Sequence, residues 1–285
     1  MRLENRAPDE AVNYADEHPL KEFALLVIGV LGTIALAAAL LGYFAGEIAA
    51  RVPFAIEREY AQSVSGRWEA AAKTPEQLAA RDALRALAAK LAAAMALPQD
   101  MSIAVHYADE AAVNAMATLG GNLVFFRGLL HRLESEDAVA MVLAHEIAHV
   151  QLRHPASAMG RGVAIGLALS AVSAGLGRSV GGAAVQRAAV LPLLKYSRDQ
   201  ERAADALALR ALARVYGHVG GAGDVFRVLA AATPGEAARI ALLQTHPLGE
   251  ERVLRVGALA RENGWLLDGP RTPLPPELRA PAAKK

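Results

Sequence analysis

The chain contains no cysteine among its 285 residues. This excludes disulfide bonds, thiolate metal ligands and a cysteine nucleophile, so any metal must be held by histidine, aspartate or glutamate. The absence of cysteine suits the periplasm as well as it suits the cytosol. Composition therefore restricts the chemistry of a metal site and leaves the compartment open.

Aromatic residues are also scarce, and neither sign of charge is in excess. Aromatics make up 5% of the chain, and 30 basic residues balance 29 acidic ones to a net charge of +1. No basic patch is interleaved with aromatic residues, so nucleic acid is not an expected partner. Apolar residues, by contrast, reach 54%, which suffices for a sizeable core and favours contact with a lipid bilayer.

The longest uncharged stretch runs from Phe23 to Gly46. It exceeds the ~20 residues that a helix needs to cross a hydrocarbon core. The preceding segment, residues 1–22, is long and rich in acids, unlike the short basic leader of a signal peptide. The pattern predicts an uncleaved single transmembrane anchor over residues 23–46, with a cleaved signal peptide and a buried core helix as the alternatives.

The segment after the anchor predicts an amphipathic helix followed by a small sheet. Thr74 and Pro75 open a stretch of leucines at helical spacing, as an N-cap and a first turn do. Short β-type runs follow at 102–107, 112–118 and 122–126, the last two joined by Leu-Gly-Gly. We expect a small antiparallel sheet in a mainly helical α+β protein.

The most specific motif is His-Glu-Ile-Ala-His at residues 145–149. His145 and His149 are four residues apart, so both imidazoles project from one helix face and can bind one ion. Glu146 then lies beside the open position of a zinc ion that takes two histidines, a carboxylate and a water. The alternative, two buried histidines bonded to backbone groups, carries a heavy desolvation cost.

Such a site needs a third ligand, and a glutamate supplies it. A metzincin would have a histidine where this chain has Pro155. Further on, Glu201 and Asp205 lie one turn apart on an apolar-periodic helix. We predict that Glu201 binds zinc, one ion per chain, and that Asp205 bonds the outer nitrogen of a histidine ligand. The alternative is two solvated acids on a surface helix.

These residues resemble the HtpX-like and CAAX prenyl protease-type zinc metallopeptidases, which are gluzincins. The resemblance covers roughly residues 70–260 and rests on four motifs in order: NAMATLGG, HEIAH, YSRDQERAAD and THPLGEER. It implies a zincin catalytic domain, delimited here as 70–264, with Glu146 as the catalytic base beside the three predicted ligands. It also implies proteolysis of misfolded or membrane-associated proteins.

Further roles are expected around this site. His246, in the last motif, could donate to the oxyanion of the tetrahedral intermediate, with Arg252 as an auxiliary charge. The alternative for His246 is a cap or surface residue. A substrate backbone is expected to pair with the edge of one strand. The residues of this strand are Leu123, Val124, Phe125 and Phe126.

Together these features predict a membrane-anchored zinc metalloendopeptidase in protein quality control, acting on peptides and on unfolded or membrane proteins. Glu146 would take a proton from the attacking water and pass it to the leaving amine. The competing hypotheses are a membrane-anchored chaperone-like or scaffolding protein with a structural zinc site, and a zinc hydrolase of other substrates. A structural site has no use for a base beside an open position, so Glu146 favours the enzyme.

The side of the membrane is not decided by charge. Three basic residues precede the anchor and three follow it, so the positive-inside rule gives no preference; they are Arg2, Arg6 and Lys21, then Arg51, Arg58 and Arg67. HtpX-type members usually carry more membrane spans, so this chain resembles the single-anchor branch more closely. That resemblance predicts an inner-membrane protein with a periplasmic catalytic domain.

Two further segments carry expectations of their own. Residues 162–177 are uncharged but, at roughly 16 residues, shorter than a span requires. A second span, a hairpin that dips into the membrane or covers the active site, and an ordinary buried helix are the alternatives, with the hairpin favoured. The tail, residues 265–285, is proline-rich with little to bury, which predicts disorder.

Overall fold

The chain folds mainly into helices around a small sheet, which confirms the predicted α+β class. The computed structural model describes residues 19–175, 196–231, 240–246 and 250–279. The helices are α1 Pro19–Ala50, α2 Phe54–Glu69, α3 Pro75–Met95, α4 Arg127–Leu130, α5 Glu136–Gln151, α6 His154–Gly175, α7 Arg198–Tyr216, α8 Gly220–Ala230, α9 Ala241–Thr245 and α10 Glu250–Asn263. The strands are β1 Ala104–Ala108, β2 Ala115–Ala117 and β3 Asn122–Phe126.

The predicted anchor lies inside α1. Between Leu20 and Ala50 this helix reaches a mean hydropathy of 2.7 and is long enough to cross a membrane. Its large apolar side chains are exposed, and Leu31 and Leu36 are each 61% exposed. Such a surface favours lipid over water, because each CH₂ removed from water contributes about 0.8 kcal/mol. The expectation of an N-terminal apolar helix of membrane-spanning length is confirmed.

The sheet has three strands in the order β1-β3-β2. β2 and β3 form the predicted antiparallel hairpin, and the turn between them uses Gly120 and Gly121 at left-handed φ angles of 69° and 74°. β1, however, pairs with β3 in parallel. The expectation of an antiparallel sheet is therefore wrong, because the connection after β1 carries the chain past the position of β3, which strand periodicity does not encode.

β3 lies at the centre of this sheet, so its edges are occupied. Leu123 to Phe125 pair with β1 on one side and with β2 on the other. The prediction that the strand of Leu123, Val124, Phe125 and Phe126 offers a free edge to a substrate is therefore wrong. Among the described strands, the edge next to α5 belongs to β2.

α5, which carries the His-Glu-x-x-His motif, runs through the core. Every residue from Asp137 to Val150 is buried, and α3, α7 and α8 pack against it. A helix enclosed on all sides can hold ionisable side chains only if they are paired or bind a metal. The neighbouring α3 begins at the predicted N-cap, Thr74, which forms a capping box with Gln77.

The junction between α5 and α6 is a sharp turn. α5 stops short of Pro155, and α6 follows at once, with Pro155 in its first turn. Arg153 between them adopts a left-handed φ of 61°. Its guanidinium donates to Val52 O at 2.5 Å and lies 2.6 Å from Glu57 Oε2, while Glu57 Oε1 accepts the Gly120 N–H at 2.7 Å. This buried ion pair joins the region after α1 to the motif helix and to the β2–β3 turn.

The tail beyond α10 packs on the domain through residue 279. The carbonyl of Thr272 accepts the N–H of Glu136 at 3.0 Å, one of the donors that the start of α5 leaves free. Leu274 and Leu278 are buried. The predicted disorder of residues 265–285 is therefore wrong for the part up to 279, because the contacts of these two leucines are not visible in composition. Residues 280–285 lie outside the described part.

Candidate metal centre

The three predicted ligands meet where α5 faces α7. His145 and His149 lie one turn apart on α5, and their Nε2 atoms are 3.0 Å apart. A capping box between Ser197 and Gln200 opens α7 and sets Glu201 in its first turn. Each of the two histidine Nε2 atoms lies 3.5 Å from one carboxylate oxygen of Glu201. All three side chains are buried, so packing of the two helices assembles the predicted set.

A fourth side chain, His246, joins this group from the end of α9. Its Nδ1 lies 2.8 Å from Glu201 Oε1 and 3.2 Å from His145 Nε2. One ligand atom from each of the four side chains lies within 4.8 Å of the others. Sequence reasoning predicted His246 as an oxyanion donor, whereas here its ring nitrogen lies among the atoms that can hold the ion.

The chemistry of this group fits zinc. Imidazole nitrogens and a carboxylate oxygen are its usual ligands where cysteine is absent. Burial lowers the pKa of His145, but Asp205 and Glu201 outweigh burial and raise that pKa to about 10. Two carboxylates therefore favour a cation at this point, and zinc would replace a proton as that cation.

Asp205 and Arg252 lie behind the candidate ligands. Asp205 Oδ1 is 3.0 Å from Nδ1 of His145, the nitrogen that faces away from the ligand group. Arg252 donates to both oxygens of Asp205 at 2.8 Å and lies 2.9 Å from Glu201 Oε2. Burial raises the pKa of Asp205, but the contacts with His145 and Arg252 prevail and lower it to about 2. Asp205 is therefore ionised and can hold the imidazole in one orientation.

His149 has its own partners, which sequence reasoning missed. Its Nδ1 lies 2.8 Å from Nδ1 of His154, and the ring of Tyr196 stacks on it at 4.0 Å between centroids. Burial lowers the pKa of His154 to about 4, so its imidazole is neutral and can share a single proton with His149. The left-handed turn at Arg153 lies between the two helices that carry these rings.

Glu146 lies beside the ligand group and outside it. Its Oε2 accepts the backbone N–H of Ala117 at 2.7 Å, and its Oε1 is 3.6 Å from Nε2 of His246. The carboxylate is buried. The predicted base is therefore tied to the edge strand of the sheet and faces the ring of His246.

An apolar pocket opens against the same group, between α5 and α8. Its walls are mainly aliphatic and aromatic, and the site residues form one end. The lining comprises Met141, Val142, Val225, Phe226, Leu229 and Leu242, together with His145, Glu146, His246 and Arg252. The pocket therefore places apolar walls next to the candidate ligands.

Two known proteins are similar to part of this chain. The mitochondrial metalloendopeptidase OMA1 of Schizosaccharomyces pombe is 28% identical over 159 residues, or 55% of this chain and 46% of that protein. The beta-barrel assembly-enhancing protease of Escherichia coli K12 is 32% identical over 114 residues, or 36% of this chain and 23% of that protein. The matches thus span less than half of these relatives.

A protein-family model matches a longer part of the chain than either relative does. The model of peptidase family M48 matches residues 79–260, which is more than half of the sequence and includes all four candidate ligands. The match confirms the predicted resemblance at the level of the family, the metallopeptidase class and zinc as the cofactor. The chain belongs to peptidase family M48.

Proposed function

We propose that this chain is a membrane-anchored zinc endopeptidase that hydrolyses peptide bonds. The position of Glu146 carries the proposal, because its carboxylate lies beside the ligand group without belonging to it and is held by the Ala117 N–H at 2.7 Å. A structural zinc site is closed by its ligands and needs no such base. The geometry therefore favours an enzyme over a chaperone-like or scaffolding protein.

The residues of the site divide the work of hydrolysis. Zinc held by His145, His149 and Glu201 would supply Lewis acidity that makes water nucleophilic at neutral pH. Glu146 accepts the proton from the attacking water and later gives it to the leaving amine, which returns the carboxylate to its starting state. Asp205 keeps His145 in the orientation that the site requires.

The position of His246 allows two roles. In the first, its imidazole donates to the developing oxyanion, as the sequence predicts. In the second, its Nδ1 becomes a fourth ligand beside Glu201. Four protein ligands would close a tetrahedral zinc site, so catalysis would then require His246 to move away. The two roles predict opposite effects of removing the ring.

A substrate backbone would align along β2 instead of β3. The backbone N–H of Thr118 donates to Asn122 O, and the backbone N–H of Phe126 donates to Asn114 O. The even-numbered residues at the two ends of β2 therefore direct their backbone groups towards β3. By alternation, Ala115 and Ala117 direct their backbone groups to the other side, towards Glu146. A peptide added as a strand at this edge would bring its backbone to the catalytic carboxylate.

We further propose a role in protein quality control at the inner membrane, with the catalytic domain in the periplasm. The exposed apolar surface of α1 supports a bilayer partner. An Escherichia coli relative is named for enhancing beta-barrel assembly, which suits a protease acting on unfolded or misassembled membrane proteins. A main-chain edge with one apolar pocket favours broad selection among unfolded chains.

The direct test is cleavage of an unfolded protein such as casein by the full purified chain. Glu146→Gln should reduce the rate by roughly 10²-fold or more and leave bound zinc unchanged. Glu134→Gln, at an exposed position before α5, is the matched control and should retain the rate. Full activity in the Glu146 variant would contradict the proposal, as would activity that survives removal of zinc.

A further inference from the structure

α6 packs against α1 as its antiparallel neighbour. A β-carbon placed on Gly160 would lie 2.4 Å from the carbonyl oxygen of Ala45, so the two backbones touch at this point. One placed on Gly42 would meet the side chain of Ile165 at 3.8 Å. Residue numbers fall along α1 as they rise along α6, so α6 leaves the catalytic domain and runs back along the apolar helix.

The outward side of α6 is apolar as well. Val163 is 55% exposed and Leu167 is 67% exposed, and the sequence from Gly162 to Gly175 contains no charged residue. In water this face would expose apolar surface next to the already exposed surface of α1. The two helices together form one continuous apolar surface.

The charge-free parts of both helices begin at the same level. On α1 the uncharged stretch ends at Gly46, which Glu47 follows, and on α6 the last charged residue is Arg161. These levels coincide in space, because a β-carbon placed on Gly46 would lie 3.0 Å from Cγ of Arg161. Matching boundaries on two helices distant in sequence are what a shared hydrocarbon boundary requires.

From this packing we infer that α6 inserts into the bilayer beside α1, from Gly162 to at least Gly175, with Val163 and Leu167 in contact with lipid hydrocarbon. The inference rests on the proposed anchoring of α1. The inserted part would be about 20 Å long at 1.5 Å per residue, so the described helix enters the ~30 Å core without crossing it. The occupant of the outer face is lipid acyl chains.

This insertion fixes the height of the catalytic site above the membrane. His154, whose ring contacts the ligand His149 at 2.8 Å, precedes Arg161 by seven residues on α6, or about 10 Å along the helix. A substrate peptide bond at the site would then be separated from the bilayer surface by only a few residues of the substrate chain. The preferred substrates would be membrane-adjacent segments of polypeptides.

The absence of cysteine makes a direct test possible. Single cysteines at Val163→Cys and Leu167→Cys would be introduced into the full chain, reconstituted in phosphatidylcholine–phosphatidylglycerol vesicles and labelled with an environment-sensitive fluorophore. Leu36→Cys on α1 is the lipid-facing control, and Leu254→Cys, 74% exposed on α10, is the water-facing control. Zinc content would confirm that each variant is folded.

Lipids carrying a nitroxide on the acyl chain should quench the probes at 163 and 167 as they quench the probe at 36. A charged maleimide should label these sites roughly tenfold or more slowly than residue 254. Quenching at 36 without quenching at 163 and 167 would overturn the inference and leave the anchor intact. No quenching at 36 would overturn the proposed anchoring, and the inference with it.

Discussion

The backbone N–H of Ala117 donates to Oε2 of Glu146 at 2.7 Å, so the edge strand of the sheet holds the carboxylate that we propose as the catalytic base. The donor lies on β2 and the acceptor on α5, and both groups are buried. A substrate strand along β2 would therefore bind next to the proposed base. This contact couples alignment of the peptide to the position of the base.

Metal content tests the ligand assignment. The purified chain should hold about one zinc ion, and Glu201→Ala should lower the occupancy, because one of the ligands that converge on the site is lost. Glu146→Gln should not lower it, since this carboxylate lies outside the ligand group. Elemental analysis after dialysis measures both variants, and unchanged zinc in Glu201→Ala would contradict the assignment.

The partners of the two histidine ligands should set the affinity for zinc. Asp205→Ala and His154→Ala should each weaken binding by roughly 10 to 100-fold, because His145 and His149 would lose the group that fixes their outer nitrogen. Titration against a chelating dye would measure the affinity. Asp199→Ala, with a side chain 85% exposed on α7, is the control. Wild-type affinity in Asp205→Ala would remove Asp205 from the site.

Replacing His246 distinguishes its two roles. Because Nδ1 of His246 lies 2.8 Å from Glu201 within the ligand group, we expect His246→Ala to retain zinc on the remaining ligands and to raise kcat. His131→Ala, at an exposed histidine, should leave kcat unchanged. A fall of roughly 10²-fold with KM nearly constant would instead establish the oxyanion donor predicted from the sequence.

The apolar pocket should select the side chain next to the cleaved bond. Peptides with leucine there should be cleaved roughly tenfold faster than those with alanine, because each buried CH₂ contributes about 0.8 kcal/mol. Val225→Phe would fill the pocket from α8 and should abolish this preference. Leu254→Phe on the exposed face of α10 should preserve it. Ratios of kcat/KM measure the effect, and an unchanged ratio in Val225→Phe would place the side chain elsewhere.

Reporter fusions test the proposed topology. A periplasmic reporter joined after Lys285 should be active and a cytoplasmic reporter inactive, because one crossing by α1 would put everything after it on the same side. Insertion of α6 without crossing leaves this expectation unchanged. The opposite pair of activities would place the catalytic domain in the cytoplasm.

Patterns within short stretches of the sequence determined several helices of this protein and part of its candidate metal site. The spacing of His145 and His149 fixes their shared helix face whatever surrounds them, because the period of a helix is set by its own backbone bonds. The N-cap at Thr74 and the long apolar run of α1 are local in the same sense. The need for a third ligand and the spacing of Glu201 and Asp205 pointed to Glu201, but no spacing rule fixes the position of its helix beside α5.

Tertiary structure decided what depends on packing between distant segments. His246 reaches His145 across 101 residues, and it joins the ligand group because the end of α9 lies beside that residue. β3 is central because the chain forms β2 first, away from β1, and β3 then fills the place between them. His154 follows the left-handed residue Arg153, which lies between the helices of His149 and His154. Contacts of this kind arise from the burial of several elements against one another, so no single stretch of sequence contains them.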